Sequence, residues 1–269
     1  MILKEQMTSP SGRESKSSRW GFLVLIPLAL FIVLLFIFAV KWKDSLIIQK
    51  VQVEGARILA AKDVVNFTDI KPQTAMYGVD LFEAEQRLLE QPMIKSVTIT
   101  RLLVDALRVV IQEREPVASL GGNALRYIDA DGVLLPHQQT EVQFDLPLIT
   151  GVGGLDTAVY GKKINNPEIT SALEVIHASE ETGFNRSISE VNMNKGGDIV
   201  IYSAETGIPI ILGRGDMLKK MVMVQTFWNN FMKSDSLGSV KYVDARFEGQ
   251  VVLKHNEKVI LPPPSKKNM

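Results

Sequence analysis

The sequence predicts an α+β protein with a single transmembrane helix, a small domain of order β-α-α-β-β, and a mostly antiparallel β domain with helices. Three features indicate this class. Residues 21–40 form an apolar stretch without a charge, and residues 47–115 show strand and helix patterns in that order. Beyond residue 116, short apolar segments are separated by Gly, Asn and Asp. Sheets with helices segregated to one face are typical of α+β domains.

Residues 21–40 are predicted to cross a membrane. Twenty helical residues rise about 30 Å, the thickness of a bilayer's hydrocarbon core. Sixteen of the twenty are Leu, Ile, Phe or Val, and Trp20 and Trp42 stand at the two ends, where indole rings favour the interface. A cleaved signal peptide is the alternative, but its apolar core runs about 7–15 residues, and the small-residue cleavage pattern is missing before Lys41.

The orientation of this helix follows from the length of what comes after it. Lys and Arg residues flank both ends equally, whereas a long C-terminal segment is translocated largely regardless of charge. The N-terminus is therefore expected in the cytoplasm, in a polar tail too poor in apolar residues to fold. We expect five segments: a cytoplasmic tail at 1–20, the transmembrane helix at 21–40, a first domain at 46–116, a C-terminal β domain at 117–260 and a disordered tail at 261–269.

The first domain is predicted from alternation and helix-start signals. Residues 47–56 alternate as a half-buried strand, and a helix is expected at about 60–69. Asp80 caps a second helix. Segments 96–103 and 106–115 then alternate with period two and are predicted to form a hairpin. The charged end of that hairpin, residues 113–116, is expected to be exposed, and its place between the domains suggests a hinge.

The C-terminal half is predicted to contain short strands and two helices. Asp131 and Gly132 lie between apolar segments and indicate a hairpin. Asn166 and Gly183 are the expected cap and stop of one helix. A second helix should run from Asp216 to about Lys233, and its core face is predicted from residues at helical spacing: Leu218, Met221, Val222, Gln225, Trp228 and Met232.

Composition and motifs argue against several functions. Thirty basic and thirty acidic residues cancel, and no basic run of five occurs, so no nucleic-acid partner is expected. The absence of cysteine excludes disulfides, thiolate zinc sites and Cys nucleophiles. Asp129 and Asp131 imitate a calcium loop but lack its glutamate, which predicts a turn. Residues 212–216 lack GK[ST], which predicts a capped helix start. We therefore predict no catalytic, cofactor or metal site.

Several blocks resemble the FtsQ/DivIB family of bacterial cell-division proteins. VQVEGA (51–56) and MIKSVTITRLLVDALRVVIQEREPVA (93–118) are similar to its POTRA domain. LPLITG (146–151), LGRGDMLKKM (212–221) and KYVDARFEG (241–249) are similar to its C-terminal domain. The resemblance covers about residues 20–255 and implies that the first domain is a POTRA domain.

The resemblance implies a non-enzymatic scaffold of the divisome in the inner membrane, with its C-terminal domains in the periplasm at the division septum. Such a scaffold links cytoplasmic and periplasmic division proteins, and the implied partner is FtsB with FtsL. The POTRA domain is expected to hold a second partner surface on its first helix and beside Val51 and Val53. The alternative is a membrane-tethered periplasmic enzyme whose site is not visible in the sequence.

The interaction site is expected at the last strand pair, since an edge strand leaves N–H and C=O groups that a partner strand can complete. Carried over by position, the resemblance implies partner-binding roles for Arg246, Phe247, Glu248 and Gly249, with Lys195 as a further candidate. Gln250 and Val252 are the expected ladder positions, and proline is expected to weaken binding at whichever of the two directs its N–H toward the partner. The alternative interpretation places Phe247 and Val251 in the core.

Overall fold

The computed structural model describes residues 18–102, 105–122, 125–137, 144–194, 197–231 and 240–256. Its first element is the helix α1 (Ser18–Ser45). Within α1, Val24–Lys43 is long and apolar enough to cross a membrane once, and none of that window is buried against the rest of the chain. The helix therefore extends beyond both ends of the predicted span. The expected tails lie largely outside the described residues.

The first folded unit has the predicted order β-α-α-β-β. Its elements are β1 (Lys50–Glu54), α2 (Ala61–Phe67), α3 (Leu81–Leu89), β2 (Ile94–Leu102) and β3 (Ala106–Glu113). The sheet order is β1-β3-β2, with β1 parallel to β3 and β2 antiparallel to it. Asp80 caps α3 as predicted, because its Oδ1 accepts the N–H of Glu83 at 3.1 Å.

The second unit is built on one larger mixed sheet. Its elements are β4 (Pro116–Leu120), β5 (Arg126–Asp129), β6 (Leu134–Pro136), β7 (Leu148–Thr150), α4 (Pro167–Thr182), β8 (Ile188–Met193), β9 (Ile199–Ser203), β10 (Pro209–Gly213), α5 (Met217–Phe231), β11 (Val240–Asp244) and β12 (Val252–His255). Short 3-10 turns lie at Leu155–Thr157 and Asn185–Ser187.

The order of this sheet is β12-β11-β10-β9-β8-β7-β4-β5-β6. The pairs β4/β7, β7/β8 and β10/β11 are parallel, and the other five are antiparallel, so the predicted α+β class is confirmed. The helices α4 and α5 connect β7 to β8 and β10 to β11, because parallel neighbours need a crossover. Both helices pack on the sheet, and the ring of Phe184 meets that of Trp228 edge to face at 6.0 Å.

Two glycines permit backbone contacts that a side chain would block. Gly55 follows β1 with φ +88°, and a Cβ there would lie 2.0 Å from the carbonyl oxygen of Ile111. Gly151 follows β7 with φ +75°, and its Cβ would lie 2.3 Å from the carbonyl oxygen of Met193. Glycine is therefore required at the end of both strands.

The segment between the two units is only in part the exposed hairpin end that the sequence suggested, because Glu115 is exposed but its two predecessors are not. Glu113 is buried, and its carboxylate accepts the backbone N–H groups of Arg57 at 2.9 Å and Leu59 at 2.8 Å. Nη1 of Arg114 donates to Oδ2 of Asp129 at 2.6 Å, and both side chains are largely buried. The prediction failed here because the buried partners come from distant parts of the chain.

The predicted core face of α5 is also partly wrong. Trp228 and Met221 are buried as expected, but Leu218 and Val222 are exposed. The buried face is completed by Met217 and Val224, which pack against the sheet and α4. The true apolar stripe is therefore rotated relative to the prediction, and the predicted member Met232 lies outside the described residues.

Candidate protein-interaction site

The turn from β11 to β12 places the predicted site residues on one corner of the larger sheet. Ala245 is buried, and its N–H donates to the carbonyl of Ile211 at 2.9 Å, which holds the start of the turn against β10. Gly249 has φ +74° and brings the chain back toward β12. Phe247 is 47% exposed between these two points.

Arg246 is held by two carboxylates. Its Nε and Nη2 donate to Asp244 at 3.0 and 2.7 Å, and its Nη1 donates to Asp198 at 3.0 Å. Hydrogen bonding to Arg246 lowers the pKa of Asp244, and the same bond raises the pKa of Arg246. Because Asp244 is nearly buried, this pair fixes the base of the turn rather than leaving the guanidinium mobile.

The beginning of α5 forms the other side of the site. Asp216 caps the helix by accepting the N–H of Lys219 at 3.0 Å, which confirms the predicted capped start. Nζ of Lys219 pairs with Glu248, and this bond lowers the pKa of Glu248 and raises that of Lys219. Nζ of Lys220 donates to the carbonyls of Leu212 and Arg214, so it ties α5 to the end of β10.

A groove of ≈ 390 Å³ lies between the turn and α5. Four basic, two acidic and three uncharged residues line it: Arg214, Lys219, Lys220, Arg246, Asp216, Glu248, Met223, Phe247 and Gly249. The apolar part is formed by Phe247 and Met223. The groove can therefore offer an apolar surface to a peptide side chain, while its basic groups already bind acceptors within the protein.

Of the predicted partner-binding residues, the structure brings Arg246, Phe247, Glu248 and Gly249 together in this groove, while Lys195 lies outside the described residues. Their role in binding stays a prediction. The core interpretation is wrong for Phe247, which is exposed. It holds in part for Val251, which is half-buried and packs against the core.

The strand β12 forms the end of the larger sheet as described. Among the described residues, β11 is the one strand that pairs with it. Val252 is 43% exposed, and Lys254 and His255 are also exposed. Gln250 precedes the strand, so the expectation that it occupies a ladder position is wrong.

Sequence reasoning missed the α5 side of the site. Asp216, Lys219 and Met223 were assigned only to a helix, although Lys219 and Met223 are four residues apart and therefore share a face. Asp198 was also missed, because its pairing with Arg246 joins positions far apart in the chain. The four-residue spacing of Lys219 and Met223 along α5 was the one feature of the sequence that could have indicated this side of the site.

The described residues contain no group of three or more His, Asp or Glu side chains placed to hold a metal. Asp129, the residue that imitated a calcium ligand, instead accepts the N–H groups of Asp131 at 3.0 Å and Val133 at 2.8 Å. The predicted turn is confirmed.

The described fold defines a class: a single apolar helix that carries a three-stranded sheet with two helices and then a mixed β domain. The sequence profile described as "POTRA domain, FtsQ-type" matches residues 46–114, and the profile described as "Cell division protein FtsQ/DivIB, C-terminal" matches residues 118–246. The chain belongs to the FtsQ/DivIB family of cell division proteins.

Individual relatives agree with this assignment. Cell division protein FtsQ of Geotalea daltonii is 25% identical over 211 residues, which cover 77% of this chain and 75% of the relative. FtsQ of Syntrophotalea carbinolica is 23% identical over 256 residues, which cover 93% and 89%. Cell division protein DivIB of Clostridium acetobutylicum is 22% identical over 209 residues, which cover 76% and 81%.

Proposed function

We propose that this chain is a non-enzymatic scaffold of the divisome, anchored in the inner membrane by α1, that binds a partner by strand addition at β12. The partner implied by the family resemblance is FtsB, in a complex with FtsL. In this arrangement the partner strand pairs with the outer side of β12 and places an apolar side chain against Phe247.

The observation that supports the proposal is an exposed aromatic ring beside a strand, β12, that has no outer neighbour among the described residues. A strand at the end of a sheet invites pairing with another chain, although β12 is short, with four residues, and carries Lys254. Here Phe247 and Val252 are exposed beside the edge. An aromatic anchor beside the end of a sheet can combine the backbone pairing of strand addition with a binding hot spot.

The charges of the groove favour a scaffold over the tethered enzyme. A general acid or base needs a titratable group that can reach a substrate. In the described part of the groove, Lys219 pairs with Glu248, Arg246 pairs with Asp244 and Asp198, and Lys220 donates to backbone carbonyls. These groups are engaged in holding the turn and the helix together.

The proposed orientation places the tail, residues 1–20, in the cytoplasm and both folded units in the periplasm, at the division septum. The support is the length of the chain beyond α1, which is translocated largely regardless of charge. A reporter that is active only in the periplasm is expected to work when fused after Met269. Activity of a cytoplasmic reporter at that position would contradict this orientation.

The test of strand addition uses proline at adjacent positions of β12. Successive N–H groups of a strand point to opposite sides, so one of Lys254 and His255 directs its N–H toward β11 and the other away from it. Residues 46–269 carrying Lys254→Pro or His255→Pro are used to retain partners from solubilised membranes, and the retained proteins are identified. The matched controls, Lys254→Ala and His255→Ala, keep the N–H groups.

We expect at least one proline variant to remain folded by circular dichroism while retaining about tenfold less FtsB than its alanine control, a loss equal to about 1.4 kcal/mol. If both folded proline variants retain FtsB as well as the alanine controls do, the partner does not add to β12.

A further inference from the structure

An aromatic and basic cluster lies where α1 meets the first folded unit. Nζ of Lys43 lies 5.2 Å from the ring centroid of Tyr77, and Cζ of Arg101 lies 5.5 Å from the same centroid. Both distances are within the range of cation–π interactions. Tyr77 is 50% exposed, so its ring is shared between two cations without being buried by them.

Backbone hydrogen bonds keep this cluster close to the end of α1. The N–H of Met76 donates to the carbonyl of Leu46 at 2.7 Å. Nε and Nη2 of Arg101 donate to the carbonyls of Met76 at 3.1 Å and Val79 at 2.8 Å. Only three residue steps separate Lys43 from Leu46, and each spans at most about 3.6 Å, so the Tyr77 loop cannot move far from the helix end.

The apolar window of α1 sets the depth of this cluster. The uncharged residues 21–40 rise about 30 Å and match the hydrocarbon core. Lys43 lies three residues, or about 4.5 Å, beyond that core, and the headgroup layer is about 5–8 Å thick. Since Nζ of Lys43 lies 5.2 Å from the Tyr77 ring, that ring is within reach of the headgroups.

Two exposed aromatic side chains lie close to this cluster in the chain: Trp42 precedes Lys43, and Phe82 follows by three residues Val79, whose carbonyl accepts from Arg101. Trp42 and Phe82 are 63% and 69% exposed, and aromatic rings favour the membrane interface. The carboxylates nearest to Phe82 in the chain are already engaged: Asp80 caps α3, and Glu83 pairs with Arg87. The two charged groups that the described residues place over the ring of Tyr77, those of Lys43 and Arg101, are both positive.

We propose that Lys43, Tyr77 and Arg101, with Trp42, form a docking surface for anionic phospholipid headgroups of the leaflet in which α1 ends. The proposal goes beyond the scaffold function and rests on the insertion of α1 into the membrane. Headgroup phosphates complement Lys43 and Arg101, while the aromatic rings enter the interfacial layer. Docking would hold the first unit against the bilayer and limit the directions in which the second unit is presented.

The absence of cysteine allows a single probe to test this contact in the full chain. Phe82→Cys, labelled with an environment-sensitive fluorophore, is reconstituted into vesicles of phosphatidylcholine alone or of equal parts phosphatidylcholine and phosphatidylglycerol. The control is Val159→Cys, which is also exposed. Val159 lies in the loop whose Gly161 contacts Pro92, beyond the opposite end of α3. Quenching by a nitroxide on the lipid headgroup is measured.

We expect the probe at position 82 to be quenched about twofold more strongly than the probe at position 159 in vesicles with phosphatidylglycerol. This difference should shrink in phosphatidylcholine alone and at high salt, which screens surface charges. Adding Lys43→Gln and Tyr77→Ala together should abolish the dependence on phosphatidylglycerol, whereas Lys62→Gln on α2 should leave it unchanged. Arg101 is kept because it also holds backbone carbonyls.

Equal quenching at positions 82 and 159 would overturn the proposal. It would also be overturned if quenching at position 82 changed neither with phosphatidylglycerol nor in the double variant. Protease protection of α1 in the same vesicles separates two kinds of failure. A protected α1 with no quenching refutes headgroup docking alone and leaves the scaffold proposal intact. An unprotected α1 refutes the docking and the membrane anchoring together.

Discussion

The two outer strands of the larger sheet, β6 and β12, differ in what lies against them. Residues 161–163 cover the outer side of β6, where Leu134 donates to the carbonyl of Lys162 at 3.0 Å and Gly161 donates to the carbonyl of Leu134 at 2.8 Å. Leu135 is fully buried in the core of the first unit. The outer side of β12 has no pairing strand among the described residues.

This difference separates two uses of a sheet edge. The β6 edge joins the two folded units, since Leu135 packs into the POTRA core and Asp129 pairs with Arg114 beside it. The β12 edge instead presents exposed residues next to a groove. Changes at β6 should therefore act on stability, and changes at β12 should act on partner binding.

The largest effect is expected at Leu135. Leu135→Ala removes a fully buried side chain shared by both units and should cost about 2–5 kcal/mol of unfolding free energy, since it leaves a cavity. Val252→Ala at the open edge is the matched control and should change that free energy by no more than about 0.5 kcal/mol. Urea unfolding of residues 46–269, followed by circular dichroism, measures both. Similar losses of unfolding free energy in the two variants would show that the β6 and β12 edges do not differ in their contribution to stability.

Arg114 should have the next largest effect. Arg114→Ala leaves the buried carboxylate of Asp129 without its cation and should cost about 3 kcal/mol. This expected loss of unfolding free energy is at the low end of the range for a broken buried ion pair, because Asp129 keeps two backbone N–H donors. Arg57→Ala, in the exposed pair with Glu115, serves as the control and should cost less than about 1 kcal/mol. An Arg114 variant as stable as the Arg57 variant would show that the ion pair does not hold the junction.

Phe247 should affect binding without affecting stability. Phe247→Ala removes a proposed anchor and should weaken FtsB binding by about 2 kcal/mol, or more than tenfold, by titration calorimetry. Tyr160→Ala provides a comparably exposed aromatic residue beside the covered edge, and it should leave binding unchanged. If the two variants weaken binding equally, the open edge has no special role.

The smallest effect concerns acid stability at the base of the β12 turn. Arg246 holds the pKa of Asp244 below its ordinary value of 3.8. A lowered pKa contributes stability that is present above the unfolded-state value and is lost as the pH falls through the folded-state value. Asp244→Asn should therefore flatten the loss of stability below about pH 4.

Asp131 gives the matched comparison at the covered edge. Its pKa is also lowered, chiefly by the hydrogen bond from Lys95, but its side chain is half-exposed and screened by solvent. Asp131→Asn should change the acid limb of the stability profile less than Asp244→Asn does. The reverse order, measured by urea unfolding across the acidic range, would contradict the assignment of the stronger pair to Arg246.

Local signals in the chain were sufficient to predict the elements and several of their ends. Asp80 caps α3, Asn166 caps α4 through the N–H of Glu168 at 2.7 Å, and Gly183 ends α4 with φ +74°. Caps and stops of this kind depend on residues within about four positions of each other. The same reason explains why the turn at Asp129 was correctly predicted.

Tertiary structure decided the environment of residues whose partners are distant in the chain. Glu113 and Arg114 looked like an exposed hairpin end, but their partners at 57–59 and at Asp129 bury them. The buried face of α5 was set by α4 and the sheet, which left Leu218 and Val222 exposed. Strand order also depends on contacts between distant parts of the chain. The backbone hydrogen bonds that pair two strands are not encoded by the residues of either strand alone. The sequence alone thus predicted the last two strands and the candidate residues Arg246–Gly249 between them. Only the assembled sheet decided that, among the described strands, β12 lies at the end of the sheet without an outer neighbour.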